Sequence, residues 1–167
     1  DHSFPITVLD TVALGLWHYV GMFGGINKEL WKKVSRALAS VGLEGFELRP
    51  IGNLSAGQFQ RVLFARLLLQ DCPVILLDEP FTAMDARTTA DLLELIRHWH
   101  TEKRIIIAVL HNLDQVRSYF PSALLLAREL IAWGKTEEVL TSENLQRARR
   151  MSEAWDESAQ ICRISNL

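Results

Sequence analysis

The sequence has little of what marks secreted, metal-clustered or nucleic-acid-coating proteins. It contains two cysteines, Cys72 and Cys162, which lie far apart and in no metal-ligand spacing. A disulfide framework is therefore not expected, and a reducing compartment suits the chain better. Lys and Arg number 18 against 20 Asp and Glu, so the net charge is −2. This balance argues against a general basic surface for nucleic acid, although it leaves room for a local patch.

Long apolar runs are also absent. The nearest is "VALGLWHYVGMFGGI", residues 12–26, which contains His18 and four glycines. It is too short for a membrane-spanning helix. We interpret it as a helix with an unusually apolar surface, which either packs into the core or faces a partner.

The first third of the chain is patterned as helices. Residues 7–19 repeat apolar side chains at helical spacing, and Asn27 can cap a second helix that Gly42 ends. Ser55 is a good N-cap for a third helix, from about Ala56 to Leu69. The apolar face predicted for this third helix comprises Phe59, Val62, Leu63 and Leu67.

The pattern changes after residue 73. Residues 74–77 and 105–110 are short, continuous runs rich in branched apolar side chains, which indicate strands buried on both faces and therefore parallel. A helix over roughly 86–100 lies between them and completes a βαβ unit, so the chain is predicted to be α/β. Two strands turning at Arg128-Glu129 and a helix over 137–155 follow.

These patterns predict three regions. A helical subdomain covers residues 1–54, an α/β core covers 55–135, and a helical tail covers 136–167.

Two carboxylates follow the first predicted strand directly. In open α/β sheets ligands bind beyond the carboxyl ends of the strands. Asp78 there can hold Mg²⁺, usually through water, and Glu79 can orient or deprotonate an attacking water. His111 ends the second strand and would lie near both acids if the strands are neighbours. The plainer alternatives are a surface turn with two solvated acids and a histidine satisfied by solvent.

The turn that opens the third helix is a second candidate site. Ala56 and Gly57 are small enough to let a ligand approach the backbone, and Gln58 follows them. Free N–H groups at a helix N-terminus attract anions, so this turn could present a phosphate-binding surface. An ordinary capped helix is the alternative.

Taken in order, these motifs resemble those of the ATP-binding-cassette (ABC) ATPases. Leu54–Gln58 is similar to their signature motif, with Ala56 at the usual middle glycine. Val74–Asp78 resembles the Walker B strand, with Glu79 as the catalytic glutamate. Ala83–Asp85 resembles the D-loop and His111 the switch histidine. The resemblance covers roughly residues 4–135 and implies a P-loop NTPase sheet flanked by helices.

The resemblance also implies roles and cofactors. Two nucleotide domains of this family sandwich ATP head to tail, with Mg²⁺ as the metal. Asp78 would then position Mg²⁺, Glu79 would polarise the water, and His111 would contact the γ-phosphate. Asp85 would link the two sites across the dimer. The residues of the signature turn that would reach the nucleotide on the other subunit are Ser55, Ala56, Gly57 and Gln58.

One expected motif has no counterpart. A phosphate-cradling loop should read G-x-x-x-x-G-K-[ST]. Residues 52–59 have both glycines, but Gln58 and Phe59 replace the required Lys and Ser/Thr. Residues 129–136 end in Gly-Lys-Thr, but Glu129 replaces the first glycine and the intervening residues favour a strand. We therefore expect the chain to be the C-terminal portion of a longer ATPase, inactive by itself, with an open strand edge.

A narrower resemblance concerns the transported solute. Residues 2–15 and 132–145 are similar to the ATPase subunits of bacterial zinc and manganese importers. This resemblance implies a peripheral protein on the cytoplasmic face of the bacterial inner membrane. Its partners would be a second ATPase subunit, an integral membrane permease and, indirectly, a metal-binding receptor, with no nucleic acid. The alternatives are an ABC ATPase for another solute, a non-transport ABC ATPase acting on DNA or ribosomes, and a fragment that only dimerises or docks.

Overall fold

The computed structural model describes residues 5–21, 24–82 and 84–156. The chain divides into two compact units, the first ending at Val109 and the second beginning at Leu110. This division does not test the three regions predicted from the sequence, whose boundaries stay a prediction.

The first unit begins with helices. The helical elements are α1 (Val8–Ala13), a 3₁₀ turn (Leu14–Leu16), α2 (Trp17–Val20), α3 (Lys28–Ser40), a second 3₁₀ turn (Ile51–Asn53) and α4 (Ala56–Gln70). The helices predicted over residues 7–19, after Asn27 and from Ala56 are thus confirmed. Asn27 caps α3 as expected, because its side chain accepts a hydrogen bond from the N–H of Leu30 at 3.0 Å. Gly42 follows the helix at φ +68°, a conformation that glycine adopts without strain.

Helices α1, α3 and α4 pack against one another. The 3₁₀ turn after α1 also packs on α4, with a close approach at Gly15. A Cβ atom at Gly15 would lie 2.5 Å from the backbone oxygen of Arg66 and 2.9 Å from the Cβ of Leu69. Only a residue without a side chain fits there, so this glycine sets the distance between the turn and α4.

The apolar face predicted for α4 is not the set of residues that the helix buries. Of the four predicted positions only Val62 is buried, whereas the helix as a whole buries Val62, Phe64, Ala65 and Leu69. Apolar residues surround much of this helix, so periodicity does not single out one face. The choice is made by its neighbours: Phe64 stacks at 6.2 Å between ring centroids with Trp99 and at 6.3 Å with Phe81.

The βαβ unit is confirmed. It consists of β1 (Val74–Asp78), α5 (Ala86–Thr101) and β2 (Ile105–Val109). The two strands are parallel neighbours, in a register that runs from Val74 opposite Ile105 to Asp78 opposite Val109. The carboxyl ends of both strands therefore lie at the same edge of the sheet.

The prediction that both faces of these strands are buried is wrong. Ile75 and Leu77 are buried, but Leu76 is 71% exposed. In β2 the side chains at alternate positions, Ile105, Ile107 and Val109, are 52–59% exposed. Among the described residues this sheet has only the strands β1 and β2, and the face that carries Ile75 and Leu77 is the buried one. A continuous apolar sequence therefore forms a sheet with one open apolar face.

The second unit contains a helix that the sequence did not reveal. The elements of this unit are α6 (Leu113–Tyr119), β3 (Ser122–Ala127), β4 (Glu129–Lys135), α7 (Thr136–Val139) and α8 (Ser142–Asp156). The helix that was not predicted is α6. Strands β3 and β4 form the predicted antiparallel hairpin, with Arg128 at its turn in the left-handed region at φ +60°. The predicted helix over 137–155 is present as α7 and α8. Within the described segments, no helix combines the length and apolarity needed to cross a membrane.

Candidate functional site

The carboxyl end of β1 places two acids side by side. Asp78 is the last residue of the strand and pairs with Val109 of β2. The next residue, Glu79, still bonds to the sheet, because its N–H donates to the Val109 carbonyl at 3.1 Å. Both acids are exposed, and Pro80 behind them is buried. The sheet thus anchors the backbone of both acids while their carboxylates face solvent.

Glu79 has an unusual backbone. Its φ is +43°, in the left-handed region that few residues other than glycine adopt. The chain turns back over the next three residues, and the N–H of Thr82 donates to the Glu79 carbonyl at 3.3 Å. The Thr82 hydroxyl also donates to that carbonyl, at 3.1 Å. Strained conformations of this kind persist where the surrounding structure holds them, and they are frequent at functional sites.

The Ser55 turn is a complete capping box. The Ser55 hydroxyl accepts from the N–H of Gln58 at 3.2 Å, and the Gln58 side-chain oxygen accepts from the N–H of Ser55 at 3.0 Å. The sequence predicted the cap but not this reciprocal bond. Because one oxygen of each side chain is engaged locally, what remains for a ligand is the Ser55 O–H and the Gln58 amide nitrogen.

Two backbone amides at this turn are open, in addition to the side-chain groups of Ser55 and Gln58. Within the described part of the chain, the N–H groups of Ala56 and Gly57 have no hydrogen-bond partner. They open the first turn of α4, a fifteen-residue helix whose positive dipole end lies there. The donors that this turn leaves open are therefore mainly backbone amides.

Asp85 also has a local structural role. It is the N-cap of α5, accepting from the N–H of Thr88 at 2.9 Å and from the Thr88 hydroxyl at 2.7 Å. The bond from the Thr88 backbone, with that from its hydroxyl, lowers the pKa of Asp85 below its ordinary value of 3.8. The carboxylate is thus held ionised at the surface. Ala83, which belongs to the same predicted motif, lies outside the described residues.

His111 lies in the second unit, two residues beyond the end of β2, and is exposed. The neighbouring position of β1 and β2, on which its predicted closeness to Asp78 and Glu79 depends, is confirmed. The closeness itself stays a prediction.

The acids do not form a metal cage. No group of three or more His, Cys, Asp or Glu side chains that could hold a metal ion occurs among the residues the structure covers. Mg²⁺ does not require one, since it keeps several waters and binds proteins through one or two carboxylates together with substrate phosphates. The exposed carboxylate of Asp78, at a sheet edge where phosphates would bind, fits that chemistry.

Neither phosphate-loop lookalike forms a loop of the required kind. Residues 129–135 form strand β4, and Thr136 after them is buried with its hydroxyl donating to the Phe120 carbonyl. Residues 51–53 form a 3₁₀ turn, and Gln58 is engaged in the cap of α4. The strand and the capped turn thus agree with the prediction that neither stretch is a phosphate loop.

Sequence reasoning missed the threonines at this end of the sheet. Thr82 bonds to Glu79, and Thr88 bonds to Asp85, each three residues further along the chain. A Thr three residues after an N-cap Asp is a signal that could have been read. No such sequence signal predicts the bond of Thr82, because that bond depends on the left-handed conformation of Glu79.

The fold and this arrangement define a class of protein, the nucleotide-binding cassettes. The structure is similar to that of an ABC transporter in an inward-facing conformation, with a TM-score of 0.79, 29% identity, and coverage of 89% of this chain and 59% of that one. It is also similar to a dimeric bacterial ABC transporter cassette, with a TM-score of 0.70, 28% identity, and coverage of 80% and 58%.

Sequence comparison finds similar proteins of one kind. The ABC transporter family profile matches residues 3–82. The manganese transport system ATP-binding protein MntB of Listeria monocytogenes is 37% identical over 146 residues, which are 87% of this chain and 61% of that protein. The corresponding MntA of Synechocystis is 36% identical and covers 87% and 56%. The chain is therefore similar to the ATP-binding proteins of ABC transporters over most of its own length, and it spans a little over half the length of these relatives.

Proposed function

We propose that this chain is part of the ATP-binding subunit of a bacterial metal-ion importer, in which ATP hydrolysis drives transport. The observation that carries the proposal is the edge formed by Asp78 and Glu79 beyond a parallel strand pair, in a chain whose relatives are named for metal transport. Manganese is favoured over zinc as the solute because the relatives are named for it. No residue of this chain is assigned to the transported metal.

The position of the two acids at the end of β1 supports the roles proposed for them. Glu79 accepts a proton from the water that attacks the γ-phosphate, and Asp78 is the residue that would hold Mg²⁺, which neutralises phosphate charge when bound. His111 contacts the γ-phosphate as a hydrogen-bonding group. The exposed carboxylates of the two acids are consistent with access by solvent and substrate.

The roles proposed for the two capped turns concern the second copy of the subunit. In a head-to-tail dimer the open amides of Ala56 and Gly57 bind the γ-phosphate held by the partner, with Ser55 and Gln58 supporting them. Asp85, held ionised by Thr88, contacts the opposite site. The dimer works with a membrane permease on the cytoplasmic face of the inner membrane, and a separate receptor delivers the metal.

The test is hydrolysis by the full-length subunit that contains this chain. Glu79→Gln should lower ATP turnover by roughly 10²- to 10⁴-fold, the usual worth of a general base, while ATP affinity is kept. Glu102→Gln is the matched control, since Glu102 is an exposed glutamate after α5 that pairs with Arg104 and lies outside the proposed site. Turnover by Glu79→Gln within twofold of the parent would overturn the assignment.

A second measurement concerns these 167 residues alone. Calorimetric titration with Mg-ATP should show no binding, because neither lookalike stretch forms a phosphate loop. Saturable binding that disappears in Lys135→Ala would show that the Gly-Lys-Thr stretch had been wrongly dismissed and would require a different site.

A further inference from the structure

The hydroxyl of Thr82 lies between two oxygens of the same residue. It is 3.1 Å from the backbone carbonyl oxygen of Glu79 and 3.5 Å from the Oε2 atom of its carboxylate. A threonine hydroxyl carries a single hydrogen, so it donates to one of these oxygens at a time. The same group thus reaches both the strained backbone of Glu79 and the end of its side chain.

This double contact matters for both the backbone and the carboxylate of Glu79. Its backbone occupies the left-handed region, and its side chain is exposed at the surface. A general base must hold its carboxylate at hydrogen-bond distance from one water, so any bond that fixes the position of this carboxylate bears on the reaction. A hydroxyl that donates to the carbonyl fixes the turn, and one that donates to Oε2 restricts the carboxylate.

We propose that Thr82 is a positioning residue for the carboxylate of Glu79. This inference rests on the proposed function of Glu79 as the base. Thr82 does not touch the nucleotide in this assignment. It acts only through Glu79, by keeping the carboxylate over the edge of the sheet, and it should therefore affect the rate of hydrolysis without affecting ATP binding.

The chain offers a matched control for the loss of a threonine hydroxyl. Thr101, at the end of α5, donates to the His98 carbonyl three residues earlier, at 2.6 Å. That contact has the same local spacing as the one between Thr82 and Glu79, but no carboxylate is involved and it lies outside the proposed site. Thr101→Val therefore reports the general cost of such a bond.

The experiment measures ATP turnover by the full-length subunit. Thr82→Val should lower kcat about tenfold, the rate equivalent of one hydrogen bond to a charged group, with KM for ATP within twofold of the parent. Thr82→Ser should restore kcat, since serine keeps the hydroxyl. Thr82→Ala gives the same reading if the valine variant does not fold, and Thr101→Val should leave kcat unchanged.

A double-mutant cycle separates positioning from a general structural effect. In the Glu79→Gln background, Thr82→Val should lower the residual turnover by less than twofold, because the group it positions is already lost. A full tenfold loss in that background, an equal loss in Thr82→Ser, or a KM increase that accounts for the effect would overturn the proposal. If Glu79→Gln itself leaves turnover unchanged, the proposed function fails instead, so the two failures are distinguishable.

Discussion

The left-handed backbone of Glu79 predicts that its replacement by glycine stabilises the fold relative to its replacement by alanine. Both substitutions remove the whole side chain beyond Cβ, so every contact of the carboxylate is lost equally in the two variants. What differs is the Cβ atom, which at φ +43° is strained in alanine and absent in glycine.

The magnitude follows from two opposing contributions. The left-handed conformation costs a residue with a Cβ atom about 1–2 kcal/mol. Glycine loses more backbone entropy on folding than alanine, which offsets about 0.5–1 kcal/mol of that gain. The net expectation is that Glu79→Gly exceeds Glu79→Ala in free energy of unfolding by roughly 0.5–1 kcal/mol.

The assay is urea unfolding of both variants, followed by circular dichroism, with equal m-values required for the comparison. Glu102 gives an internal control of opposite sign. It is also an exposed glutamate, but its φ is −78°, so Glu102→Gly should be less stable than Glu102→Ala. Equal stabilities at position 79, or an order matching that at position 102, would refute the claim that Glu79 is strained.

Two further predictions concern association and packing. The open apolar face of the β1–β2 sheet should make this chain self-associate at tens of micromolar, as measured by light scattering. Ile107→Lys should reduce the association, whereas Leu48→Lys, which changes an exposed side chain in a loop, should not. A monomeric parent chain would contradict this prediction. Gly15→Ala should lower the free energy of unfolding by about 1–3 kcal/mol through its clash with the backbone of Arg66. Gly25→Ala, which meets nothing within 4 Å, should not, and equal effects at both glycines would count against the close approach.

Local signals determined most of the elements. The caps at Asn27 and Ser55, the βαβ spacing and the turn at Arg128 each depend on a few neighbouring residues, and the structure has them where the pattern predicts. The short helix α6 was missed, although Asn112 caps it in the same way, with bonds to two following amides. A run of seven helical residues is too short to show a clear apolar period.

The amino-acid sequence by itself determined the order of the motifs and the parallel pairing of the two strands rich in branched apolar residues. It also determined that two adjacent acids, Asp78 and Glu79, end the first strand. Tertiary structure alone decided which face of α4 is buried and that one face of the sheet is open, since burial depends on which elements are present to cover a surface. It also decided the left-handed backbone of Glu79 and its contact with Thr82. No periodicity encodes these, because they arise where a strand held by its neighbour must turn sharply over a buried proline.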